Sequence, residues 1–197
     1  MTARTPRKDA VRNRAAVLAA ADALFARSES PAAITMADVA AAAGVGKATL
    51  FRGFGDRTGL IQALFAARLE PIRAAVEDGP PPLGPAAPPH QRVPALLDAV
   101  LCFKLDNRHL ALALEDTGDD SPYRAEHYER WHRTLSAVLD RIEGFTGSAF
   151  AAHALLAATR ADLVEHLVTR QGLAREELRA DLARYTAQVI GSGGPQG

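Results

Sequence analysis

Strand-type patterning is almost absent from this chain. Alternating runs of β-branched or aromatic residues are missing, alanine is abundant, and most apolar residues recur every three or four positions. That spacing places side chains on one face of a 3.6-residue helix, and alanine carries the least cost in a helix of any residue. An all-α fold is therefore expected. The periodicity predicts helices at about 9–28, 36–43, 47–53, 57–78, 93–105, 107–116, 122–143, 148–171 and 174–190.

The local signals in the first 60 residues are the sharpest. Val11, Leu18 and Phe25 form one stripe on the first helix, which Ser28-Glu29-Ser30-Pro31 then breaks. Thr35 suits the N-cap of the second helix, with Asp38 at its third position as a variant of the capping box. Gly44, within Ala43-Gly44-Val45-Gly46, allows a tight turn, because glycine reaches positive φ without a Cβ penalty. A third short helix follows directly. Two short helices joined by such a turn form a helix-turn-helix, whose second helix enters the major groove with its N-terminal residues toward the base edges. Those residues are Gly46, Lys47, Ala48 and Thr49. Lys47 can donate to guanine O6 or N7, Ala48 can touch a thymine methyl, and Thr49 can reach a base or a phosphate. Leu50 and Phe54 are expected to point back into a core with Val39 and Phe25.

Charge agrees with a polyanion partner at one end. The chain has 23 basic and 23 acidic residues, yet residues 1–60 hold nine Lys/Arg against five Asp/Glu, and the remainder fourteen against eighteen. At 197 residues it is long enough to bury a sizeable core. A single cysteine, Cys102, excludes an internal disulfide and any CxxC metal site, and suits a reducing compartment. No apolar run is long enough for a transmembrane helix, and no apolar stretch follows Arg4, Arg7 and Lys8 as a secretory signal requires. A cytoplasmic protein is expected.

The segment from Ile34 to Phe54, with "T-x-x-D-V-A", "A-G-V" and "K-x-T-L-F-x-x-F" in fixed register, resembles the DNA-binding signature of the tetracycline-repressor (TetR) family. The resemblance extends over about residues 10–65, with Leu24-Phe25 upstream and Arg57, Leu60 and Leu64 downstream. It implies a dimeric regulator of transcription that binds double-stranded DNA through its head and a small molecule through a helical body. By this resemblance Thr35, Thr49, Phe51, Gly53 and Arg57 occupy positions that contact phosphates. Two depart from the pattern: the family usually has Tyr at 51 and His or another aromatic at 53. Phe51 lacks the hydroxyl, and Gly53 has no side chain and should end the recognition helix. Arg52 and Arg57, with Arg4, Arg7 and Lys8 in a mobile arm, can supply the missing charge. The alternative for the arm is a plain solvated tail.

The expected division is a helix-turn-helix domain over 1–56, a helical ligand-binding and dimerisation domain over 57–190, and a disordered tail over 191–197. Gly79 to Pro89 is Pro-rich and reads as an extended, solvated connector inside the body. Ser121-Pro122 opens a helix that concentrates aromatic and histidine residues: Tyr123, His127, Tyr128, Trp131 and His132. Tyr128, Trp131, Leu135, Val138 and Ile142 share one face. Polar-tipped aromatics on a buried face either line an apolar pocket or fill core with their polar atoms bonded to backbone. Phe103, Leu110 and Leu114 on one side, and His153, Leu156 and Arg160 on the other, are candidate opposite walls.

His109, His127, His132, His153 and His166 contain no i, i+4 pair, so a metal site has little support. No nucleophile elbow, phosphate-cradling Gly loop or HExxH occurs, and neither catalysis nor a cofactor is expected. Leu178, Leu182, Tyr185 and Val189 line the last helix at spacings of four, three and four. The helix at 148–171 is apolar on two faces, one with Leu156, Leu163 and Leu167, the other with Ala157, Val164 and Val168. Together these suggest a two-fold interface between copies, the alternative being an ordinary monomer core. Pro71 is expected to kink the helix at 57–78. An effector-independent DNA-binding dimer, and a helical binding protein with a weakened head, are the competing functions.

Overall fold

The computed structural model describes residues 6–27, 33–115 and 126–191, leaving aside the side chains of 6–8, 113 and 115. Among the described residues all regular structure is helical. In chain order the helices are α1 (Pro6–Arg27), α2 (Met36–Ala43), α3 (Lys47–Phe54), α4 (Arg57–Asp78) and α5 (Pro89–Asp106). There follow α6 (Arg108–Glu115), α7 (Glu126–Leu139), α8 (Ser148–Ala157), α9 (Ala161–Thr169) and α10 (Arg175–Gly191). No described helix is long and apolar enough to cross a membrane. The expected cap at Ser121-Pro122, the break at 28–31 and most of the tail lie outside the described residues.

The chain divides into two compact units after Leu69, inside α4 rather than at its start. Leu60, Ile61, Leu64, Phe65 and Leu69 on α4 are buried. Arg57 Nε donates to Ile34 O at 3.3 Å, and Arg68 pairs with Asp22 of α1. The first half of α4 is thus tied to the helices before it. The helix continues through Pro71 to Asp78.

In the first unit α1 packs on α2, and α2 on α3. The buried stripe of α1 is Val17, Ala21 and Phe25, at spacings of four; Val11 is 67% exposed, so the expected stripe is corrected at its start. Leu18 is half-buried. Val39 and Leu50 are buried with Phe25, as their periodicity requires, whereas Phe54 is only half-buried.

In the second unit α5 lies at the centre, packed on α7, α9 and α10, while α7 packs on α8 and α6 on α9. Leu96, Leu97, Leu101, Leu135, Leu139, Leu155 and Val164 join Leu178, Leu182 and Ile190 in one cluster. Three expectations are corrected. First, the helix at 148–171 is two helices. The Thr159 hydroxyl donates to Leu156 O at 2.9 Å, and Asp162 accepts the Leu163 N–H at 2.8 Å, so side chains replace helical partners at the break. Second, the buried stripe of α10 is Leu178, Leu182, Thr186 and Ile190, not Leu178, Leu182, Tyr185 and Val189. Thr186 is tolerated inside because its hydroxyl donates to Leu182 O at 2.7 Å. Leu178 and Leu182 accordingly belong to the chain's own core rather than to an exposed face. Leu163 and Tyr185 are each 39% exposed, and Leu167 and Val189 are half-buried against the core.

Third, the Pro-rich segment after Gly79 is folded into turns. Gly84 N–H donates to Pro80 O at 3.0 Å and Ala87 N–H to Gly84 O at 3.1 Å. A Cβ on Gly84 would fall 1.6 Å from Gly79 O, so only glycine fits. Arg92 is 7% exposed; its Nε donates to Leu83 O at 2.9 Å and its Nη2 to Val76 O at 2.8 Å. A buried guanidinium thereby fastens this loop to the end of α4, and burial lowers its pKa.

Candidate nucleic-acid interface and ligand groove

Capping and turn residues set the relation between α2 and α3. Thr35 is the N-cap of α2: its Oγ1 accepts the Asp38 N–H at 3.2 Å, and Asp38 Oδ2 accepts the Thr35 N–H at 2.9 Å. The Thr35 hydroxyl, which also donates to Asp38 Oδ2, and then the Thr35 N–H favour the ionised carboxyl and hold the Asp38 pKa below its usual value. Gly44, at φ 64°, ends α2 in the left-handed conformation, and its N–H returns to the carbonyls of Ala40 and Ala41. Gly46 is the N-cap of α3 and contributes no side-chain bond.

The start of α3 therefore faces outward. Gly46, Lys47, Ala48 and Thr49 are all exposed, as is Arg52, while Leu50 is the one buried residue of the helix. Phe51 is 49% exposed. The helix runs one residue past Gly53, to Phe54, and is closed by Gly55 at φ 75°. Space beside Gly53 is open: a Cβ there would meet nothing within 4 Å.

Two carried-over phosphate contacts are already engaged within the chain. The Thr35 hydroxyl donates to Asp38 Oδ2 at 2.7 Å. Arg57 is half-buried, bonded to Ile34 O, with its guanidinium 6.0 Å from the Phe25 ring centroid. Both side chains thus bond to residues 34–38, at the start of α2. Arg7 and Lys8 lie in the first turn of α1 rather than in an arm, since the helix begins at Pro6. Arg4 lies outside the described residues.

The body carries a surface groove of about 630 Å³ between α7 and α8. Three anticipated residues line it: Tyr128, His132 and His153. Tyr128 OH and His153 Nδ1 are 2.6 Å apart, His132 Nε2 lies 2.9 Å from Ala149 O, and the two imidazoles stack at 3.8 Å between centroids. Lost hydration, and then the neighbouring His132, lower the pKa of His153. Glu129, Arg133, Ser136, Ala137, Asp140 and Ala149 complete the lining and were not anticipated. Their signal was present, because Tyr128, His132, Ser136 and Asp140 repeat every four residues beside the buried stripe of α7.

The other candidate walls lie elsewhere. Phe103, Leu110 and Leu156 are buried and do not line the groove. Leu114 and His127 are half-buried outside it, and Trp131 packs against the core cluster. Arg160 is the N-cap of α9, with its Nη2 2.9 Å from Asp162 Oδ2. Tyr123 lies outside the described residues. Among the described residues no group of three or more His, Cys, Asp or Glu could hold a metal ion.

Residues 17–64 match the sequence profile of bacterial regulatory proteins, tetR family. No curated protein matches the chain. Among solved structures it resembles a TetR transcriptional regulator from Rhodococcus sp., with TM-score 0.63 and 21% identity, over 91% of this chain and 96% of the other. It also resembles Thermus thermophilus FadR, a TetR-family repressor in complex with lauroyl-CoA, with TM-score 0.64 and 15% identity, over 93% and 100% of the two chains. A TetR regulator from Streptomyces coelicolor gives TM-score 0.52 and 24% identity, over 93% and 99%.

Proposed function

We propose that the chain, whose residues 17–64 match the tetR family profile, is a transcriptional regulator of the TetR kind that acts as a repressor, binding a palindromic operator as a homodimer. In this reading a small apolar or aromatic ligand in the body releases the operator. On this reading the chain is a DNA-binding regulator rather than an enzyme, as the profile match over residues 17–64 supports.

The observation that carries the proposal is the outward face of Lys47, Ala48 and Thr49 at the start of α3, set by a capped α2 and a glycine turn. A major groove about 12 Å wide admits such a helix. Lys47 reads a base edge, Thr49 and Arg52 meet phosphate or base, and Phe51 packs without donating. Thr35 and Arg57 support the helix from behind. Leu163 and Tyr185, the interface candidates that remain exposed, are available to a second copy.

For the effector, the groove of about 630 Å³ falls within the ~300–1,000 Å³ typical of small-molecule sites. Tyr128, His132 and His153 give it ring surface with polar tips. The test has two stages. Selection from a randomised duplex pool, followed by footprinting, should yield an inverted repeat protected by a dimer. A panel of aromatic and acyl compounds should then include one that raises the melting temperature and releases that duplex, with both effects lost in His153→Ala. Recovery of half-sites without two-fold symmetry, or of no duplex, refutes the DNA reading. Compounds that release DNA equally from His153→Ala refute the groove as the effector site.

A further inference from the structure

The recognition helix is held by surprisingly little. Of its eight residues only Leu50 is buried, and Phe54 is half-buried. One buried anchor resists lifting but not rolling or fraying. Gly53, in the last turn, weakens the helix further, because glycine gives up more backbone freedom than any other residue. The carbonyls at the C-terminal end of a helix run short of helical donors. Phe51 O accepts the Gly55 N–H at 2.8 Å, and Phe54 O accepts the Asp56 N–H at 3.0 Å. The partner of Gly53 O comes from α1: Arg14 Nη1 donates to it at 3.3 Å. The same guanidinium lies over the Phe54 ring, its Cζ 4.7 Å from the centroid.

We propose that Arg14 is a positioning residue for DNA reading, which fixes the C-terminal end of α3 and thereby the pose of Lys47, Ala48 and Thr49. Its cation complements the negative end of the helix dipole, and its flat face covers the aromatic ring. Two contacts from Arg14, to Gly53 39 residues on and to the next residue, Phe54, give α3 a second anchor from outside the helix. Loss of this clamp lets the last turn unwind at Gly53. A helix of eight residues is only about 12 Å long, so a tilt at one end moves base-reading atoms at the other. The positioning role differs from a phosphate contact, the other use an exposed arginine could have beside DNA.

The inference rests on the DNA-binding reading of the head, and its test separates the two. Arg14→Ala, Gly53→Ala and the double variant are compared with the parent protein, on a duplex selected by the parent from a randomised pool. Gly53→Ala adds a Cβ into open space and favours helix. Arg14→Ala should weaken specific binding about five- to tenfold, weaken scrambled-duplex binding much less, and leave the salt dependence unchanged. The double variant should recover at least half of the loss on a logarithmic scale. Amide hydrogen exchange at Phe51–Gly55 should quicken in Arg14→Ala and slow again in the double variant, with no DNA present.

Arg14 is instead a phosphate contact if the salt slope falls by about one unit and both duplexes weaken equally. The proposal is also overturned if Gly53→Ala restores nothing, or if exchange in α3 is unchanged. Should the parent select no duplex, the DNA reading fails, and the exchange comparison alone decides whether Arg14 holds α3.

Discussion

Replacing Leu182 by Ala tests where the last helix faces. Leu182 is 8% exposed and clusters with Leu178 and Ile190 of α10, on a helix packed against α5. Truncating a buried leucine removes its transfer free energy and leaves a cavity, together about 2–5 kcal/mol. With a urea m-value near 2 kcal/mol/M, a loss of about 3 kcal/mol moves the midpoint down by roughly 1.5 M. Tyr185, one turn on and 39% exposed, should shift the midpoint little when replaced by Ala. Urea unfolding followed by circular dichroism, with sedimentation velocity on both variants, makes the comparison. The expected pattern is a destabilised Leu182→Ala and a normally stable Tyr185→Ala with weakened self-association. A Leu182→Ala protein that keeps its urea midpoint but runs as a monomer would sink the assignment of Leu182 to the internal core.

Lys47→Ala should relax sequence preference and cost about 1–3 kcal/mol in operator binding, read by competition with single-base operator variants; equal loss on scrambled DNA would reduce Lys47 to a phosphate contact. Phe51→Tyr should tighten operator binding by up to about 1.5–3 kcal/mol, because the ring is half-exposed and a hydroxyl on it can reach a phosphate; unchanged affinity in a titration would mean that the ring points away from the backbone of the DNA. Stability should also depend on pH. The His153 pKa is lowered in the folded protein, so the unfolded chain binds its proton first. That contribution to stability is complete above the unfolded value, about 6.5, and is lost as pH falls through the folded value. His132, the neighbouring charge that lowers the His153 pKa after desolvation, shares the groove with it. Thermal melts from pH 7.5 to 5 should show a decline that His153→Gln reduces; an equal decline in both proteins would locate it elsewhere.

What could be read from the sequence depended on whether a signal was local. The cap at Thr35, the turn at Gly44 and the burial of Leu50 each follow from a few neighbouring residues, and each appears in the structure. The break between α8 and α9 had a local signal as well. Thr159 and Asp162 repeat the Thr35–Asp38 spacing, but unbroken apolar periodicity on both sides concealed it. Choosing among stripes was harder. Thr186 sits inside because its hydroxyl bonds to its own helix, so polarity alone misplaced it and promoted Tyr185. The ligand groove depended on which helix lies beside α7. His153 joins Tyr128 and His132 only because α8 packs there, 21 residues along the chain from His132. Nothing in the composition of Phe103, Leu110 or Leu156 distinguishes a buried core residue from a pocket wall.

The loop closed by Arg92 bears on how the protein can be handled and altered. Proline-rich surface segments are where a protease or an engineer would ordinarily cut, or splice in a tag. Here the segment from Gly79 to Pro88 is knotted by turns around a glycine with no room for a side chain, and pinned by a guanidinium withdrawn from water. Limited digestion should pass it by until the body itself opens. An insertion there would disturb the attachment of α4 to α5, so the stretch that most resembles a tether by composition is among the least expendable parts of the body.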